Sequence, residues 1–148
     1  MYIKPLPKKV NYYMERYESW LDRAESSYKL SKLPFFRNIY FEDLCYQAQQ
    51  AVEKAFKGLL IYYGVEPEYT HNIGILINSL EKFTEIDDSI RESIKLTNFA
   101  VQTRYPGNYN DITKEEYKES LKIAKYCLDW VKKVIKENKN VINKANTP

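Results

Sequence analysis

The 148 residues carry 23 basic and 20 acidic side chains, a net charge of +3. A chain of this length suits one domain and can bury about 70% of its unfolded surface, and so mild a charge gives no compositional case for nucleic-acid binding. The two cysteines are too few for a disulfide scaffold and lack metal-ligand spacing. No run suits a signal peptide or spans a membrane, so a cytoplasmic protein with reduced thiols is expected.

Residues 1–9, with Pro5 and Pro7, read as an extended arm. A first helix is expected from about Val10 to Ser31, with Tyr13, Tyr17, Trp20, Leu21, Ala24 and Tyr28 as its apolar stripe. Pro34 marks a break. The central helix is expected from about Ile39 to Tyr63. Leu44, Ala48, Ala51, Val52, Ala55 and Leu59 share one face, and three of these six are alanines. So flat a face lets other helices approach closely, which places this helix at the centre of a bundle. Asp43, Gln50, Lys54 and Lys57 lie roughly opposite. A solvated stripe is the ordinary reading of such a face, and a cleft wall is the alternative.

Gly64 fits a helix C-terminal cap, which needs the left-handed conformation. Thr70 is the expected N-cap of a third helix from His71 to about Phe83, buried through Ile73, Ile77 and Leu80. Ser89-Ile-Arg-Glu92 has the capping-box pattern and is expected to open a fourth helix to about Thr103, with Ile90, Ile94, Thr97 and Val101 on one face. Arg104-Tyr105-Pro106-Gly107-Asn108-Tyr109-Asn110-Asp111 reads as a turn. Thr113-Lys-Glu-Glu116 is a second capping box. It opens a last helix to about Asn138, striped by Tyr117, Leu121, Ala124, Leu128, Val131 and Ile135. Residues 139–148 read as a polar, fraying tail behind a helical domain of residues 10–138. No period-two alternation persists, so the fold class is all-α: five helices joined by short loops in an up-and-down bundle. Fourteen tyrosines suit a core and a dimer contact.

His71 is the sole histidine, so any Cys/His or Ser/His pairing must use it. At a helix start it reads first as structural. Neither a metal site nor a phosphate-binding glycine loop is recognisable, and no cofactor is expected. The turn after the fourth helix is more informative. Arg104 presents a planar fork suited to phosphate, beside Tyr105. Asn108, Tyr109 and Asn110 add polar groups near the next helix's N-terminus, where the dipole favours anions. The alternative is that Arg104 caps the fourth helix's last carbonyls.

The run Cys45-Tyr-Gln-Ala-Gln-Gln-Ala-Val-Glu-Lys-Ala-Phe-Lys-Gly-Leu-Leu60, then Gly64 and Thr70-His71, resembles the signature helix and following turn of the HEPN (higher eukaryotes and prokaryotes nucleotide-binding) family. Arg104-Tyr105-Pro106 before a long final helix adds a second matching block, and the similarity covers roughly Trp20 to Ile135. The resemblance implies a five-helix bundle that dimerises, with the arginine motif facing the dimer cleft. It also implies a nucleotide or RNA ligand at Arg104, Tyr105, Asn108 and Tyr109, and a small nucleotidyltransferase partner in a toxin–antitoxin-type system. Many members are metal-independent ribonucleases in which a histidine follows the arginine after four to six residues. Here Tyr109 stands in that place, and a tyrosine with an ordinary pKa near 10 is a poor base for a ribose hydroxyl. A binding module is therefore the leading expectation. A ribonuclease using Arg104 with Tyr109 or His71, and a purely structural dimer, are the alternatives.

Overall fold

A computed structural model describes residues 6–33, 38–101 and 111–147, with the side chains of 6–15 and 101 outside the described set. Five helical segments follow one another among these residues, without a strand. They are α1 (Leu6–Ser31), α2 (Phe41–Tyr62), α3 (Ile73–Leu80), a composite run, and α6 (Lys114–Ala145). The composite run joins α4 (Asp88–Arg91), a 3-10 stretch (Glu92–Thr97) and α5 (Asn98–Val101). The all-α bundle expected from periodicity is the fold observed.

The central helix is central. α2 touches α1, α3, α5, α6 and the 3-10 stretch, and Ala48, Ala51, Val52, Ala55 and Leu59 are fully buried. As α1 advances from Tyr17 to Ser27, its partners on α2 recede from Tyr62 to Lys54, so these two helices run antiparallel. The alanines are not the only source of close approach. A Cβ on Gly58 would lie 3.1 Å from Trp20 Cβ and 3.2 Å from Leu21 Cδ2, so a bare backbone on α2 lets α1 settle there.

Helix ends were legible where the signal was local. Gly64, with φ at +79°, closes α2 in a Schellman motif. Gly64 N–H donates to Ile61 O and Val65 N–H to Leu60 O. Thr113 accepts from Glu116 N–H at 3.1 Å while Glu116 accepts from Thr113 N–H at 2.8 Å, completing the second capping box.

Elsewhere the boundaries differ. α1 begins at Leu6 instead of about Val10, because Pro7 falls in the first turn, where a missing N–H is harmless. α3 is capped by Asn72, which accepts from Gly74 N–H at 2.9 Å; Thr70, two residues earlier, instead accepts from Asn72 N–H. Asp87, not Ser89, caps α4, accepting from Ile90 N–H at 2.8 Å. Beyond it the chain tightens. Ile90, Ser93 and Leu96 are buried at intervals of three, which is the period of a 3-10 helix, and Ile94 turns outward. Ser93 Oγ donates to Ile90 O at 2.6 Å, and Thr97 Oγ1 accepts from the N–H of Ile73, the first residue of α3. α6 remains helical to Ala145, about two turns past the expected end near Asn138. Asn138 bonds to Tyr63 OH and Lys139 to Tyr17 OH, tethers supplied by other helices.

Candidate functional site

The expected binding residues Arg104, Tyr105, Asn108 and Tyr109 lie outside the described residues. The elements that flank them are well anchored. Ile112 N–H donates to the carboxylate of buried Glu42 at 3.0 Å, tying the approach to α6 onto the start of α2. Tyr117 stacks on Phe41 at 5.0 Å between ring centres and donates its hydroxyl hydrogen to Ser31 O at the end of α1.

The polar face of α2 corrects the solvated-stripe reading. Lys57 is only 8% exposed, Gln50 and Lys54 are half-buried, and of the four residues expected there only Asp43 faces water. Beside them lie Gln49 and Glu53, fully and nearly fully buried and outside the four residues expected on this face. Glu53 organises this face. Its Oε1 accepts from Lys57 Nζ at 2.8 Å. Its Oε2 accepts from Gln49 Nε2 at 3.0 Å and from Gln50 Nε2 at 3.3 Å. His71 Nδ1 approaches Oε2 at 3.0 Å and, since a carboxylate only accepts, Nδ1 is the donor. Gln49 Nε2 also donates to His71 O at 3.2 Å, fastening the turn before α3 to α2. Among the described residues no buried side-chain nitrogen or oxygen lacks a partner.

Burial pushes the Glu53 carboxyl up, but the hydrogen bonds from Lys57, Gln49 and His71 outweigh it and hold the group below its ordinary value. Glu53 is thus an anion at neutral pH. It orients an imidazole that is about half exposed. The sequence did carry a signal for this cluster: Gln49, Glu53 and Lys57 recur every four residues, with glutamate ahead of lysine. His71 reads as structural in sequence, and the structure gives it that role through Glu53 rather than as the start of a helix.

The two thiols offer no nucleophile. Burial pushes Cys45 up to about 11 and Cys127 up to about 12, so neither forms a thiolate near neutral pH. Among the described residues no group of three His, Cys, Asp or Glu side chains converges to hold a metal, and no helix is long and apolar enough to cross a membrane.

Comparison with known proteins places this architecture. The chain is 30% identical over 134 residues to "Putative toxin MJ1304" of Methanocaldococcus jannaschii, covering 80% of this chain and 87% of that protein. The solved structure of TT1696 from Thermus thermophilus superposes with a TM-score of 0.71 at 27% identity. That of ST0689, described as an archaeal HEPN homologue, superposes with a TM-score of 0.64 at 28% identity. Each covers 80% of this chain and 97% of the solved one. The HEPN domain model matches residues 17–134, from Tyr17 on α1 to Val134 on α6, and so takes in the whole Glu53 cluster. The chain belongs to the HEPN domain family.

Proposed function

We propose that this protein is a homodimeric HEPN module that binds a nucleotide or RNA phosphate through Arg104, Tyr105, Asn108 and Tyr109, and works with a small nucleotidyltransferase in a toxin–antitoxin-type pair. The observation that carries this reading is the similarity, along most of both chains, to the protein named "Putative toxin MJ1304", beside this chain's own match to the HEPN domain model. Two features support it. The stretch Arg104 to Tyr109 stands a few residues before Thr113 in the sequence, and Thr113 caps the start of α6, where the helix dipole favours an anion. Leu30, Leu33, Ile39 and Tyr40 are exposed around the α1–α2 connection, an apolar surface suited to a second copy.

A second reading, a metal-independent ribonuclease, draws on the Glu53–His71 pair, since a carboxylate that orients an imidazole is an arrangement used in general-base catalysis.

Nucleotide and short-RNA titrations at two salt concentrations test the first reading. Arg104→Lys should weaken binding while fold and dimer persist, because lysine lacks the planar fork. Tyr109→Phe should cost less, about 0.5–1.5 kcal/mol for one hydroxyl contact, and added salt should weaken all binding. No binding by the wild type, or equal binding by Arg104→Lys, would sink the turn as a ligand site. Sedimentation at micromolar concentration showing only a 17.7 kDa species would remove the dimer. RNA cleavage by the pure protein, abolished in Arg104→Ala, would establish the ribonuclease reading instead.

A further inference from the structure

α1 and α2 face each other across a cleft of about 390 Å³, a volume within the range of small-ligand sites. Two rows of side chains line it. On α1, Arg16, Trp20 and Arg23 recur at spacings of four and three; on α2, Gln50, Lys54 and Lys57 do the same. Each spacing sets its residues along one helix face, so the antiparallel pair presents six long side chains to one hollow. Four are cations.

Their charges are unequally answered. Lys57 is neutralised by Glu53, which also lines the cleft, and Arg16 by Glu66, whose Oε2 lies 3.1 Å from Nη1. Lys54 and Arg23 have no carboxylate within ion-pair distance among the described residues. Lys54 Nζ instead donates to the hydroxyl of buried Ser27 at 2.8 Å, so the ammonium is held at the cleft wall by a neutral acceptor. Burial pushes Lys54 below its ordinary value, Glu53 pulls it back, and the Arg23 charge depresses it again. Two crowded cations, neither of them ion-paired and with the Glu53 carboxylate answering Lys54 only from beyond ion-pair distance, form a site that an incoming anion relieves. Trp20 supplies the other half of a recognition surface, a half-buried indole beside the cations. Its ring already holds Lys57 Nζ at 5.9 Å from the centroid.

The geometry points to the α1–α2 cleft as a mononucleotide site within a single protomer, with the phosphate on Arg23 and Lys54 and the base against Trp20. Aromatic rings accept any base by stacking, so the cleft selects for phosphate plus a planar ring rather than for one base. This site does not rest on the Arg104 turn: all of its residues belong to α1 and α2.

Titration of the full-length chain with AMP, inorganic phosphate and adenosine tests it. AMP should bind more tightly than either fragment and quench Trp20 emission, read in a Trp130→Phe background. Arg23 is exposed, so Arg23→Gln should leave the melting temperature unchanged while weakening AMP by about tenfold, the loss of one charge-assisted contact. Lys54→Gln should weaken AMP similarly, and the losses on Arg23→Gln and Lys54→Gln should persist in an Arg104→Lys background. AMP that fails to bind the wild type at millimolar concentration, or that binds Arg23→Gln and Lys54→Gln as tightly as wild type, overturns the proposal. Phosphate that binds as tightly as AMP reduces the cleft to an anion hole and overturns the base contact. AMP lost only in Arg104→Lys places the ligand at the turn, overturning the cleft while leaving the proposed function standing.

Discussion

The two faces of α2 are both buried and are held in opposite ways. Ala48, Ala51, Val52, Ala55 and Leu59 pack into the bundle's apolar core, where the burial of each group stabilises independently. Gln49, Glu53 and Lys57, on the other side, are stable only as a set. A buried carboxylate is costly unless its hydrogen bonds are complete, and here lysine, two glutamines and a histidine complete them. The difference teaches where change is tolerated. The apolar face responds to volume, and the polar face responds to the loss of any partner left behind with an unanswered charge.

Removing the centre of the polar face is the strongest way to break this comparison. Glu53→Ala leaves Lys57, with only 9% of its side chain exposed, without its counter-charge. It should destabilise the domain by about 3–5 kcal/mol, measured by urea denaturation. A loss no greater than that of an ordinary surface substitution would mean that water reaches these groups. The same carboxylate has a pH signature. Its folded pKa is depressed, so its contribution is present above the unfolded value near 4.5 and is lost as pH falls through the lower folded value. Glu53→Gln should flatten that part of the stability profile. An unchanged acid limb would assign the titration to other carboxylates.

The apolar face should yield a smaller effect. Ala51→Leu or Ala55→Leu adds three carbons where no space exists and should cost about 1–3 kcal/mol through overpacking. Melting temperatures unchanged in both variants would contradict the close helix contact. The smallest effect belongs to the exposed member of the polar set. His71 is about half in water, so His71→Ala should cost under about 1 kcal/mol, because Lys57, Gln49 and Gln50 still bond Glu53. A loss approaching that of Glu53→Ala would show that the cluster depends on the turn before α3, and would sharpen the division between the two faces into one between α2 and its neighbours.

The chain's own signals determined the helix count, the central place of α2 and the ends at Gly64 and Thr113. In each case the physical cause lies within about a turn: an apolar residue every three or four positions, a left-handed glycine, a reciprocal pair three residues apart. The family resemblance was legible for the same reason, since its blocks are short contiguous runs, the longest of them on α2. Tertiary structure decided the rest. Ser89 has the same local pattern as Thr113, yet Asp87 caps α4, and burial at intervals of three draws the next turns into a 3-10 helix. α6 runs on past Asn138 where Tyr63 and Tyr17 hold it from other helices. The polar face of α2 looked solvated because the groups that satisfy it are remote in sequence: His71 stands 18 residues from Glu53, and Ser27 stands 27 from Lys54. A pattern along one helix records which side chains share a face. What covers that face depends on partners that only folding brings within hydrogen-bond reach.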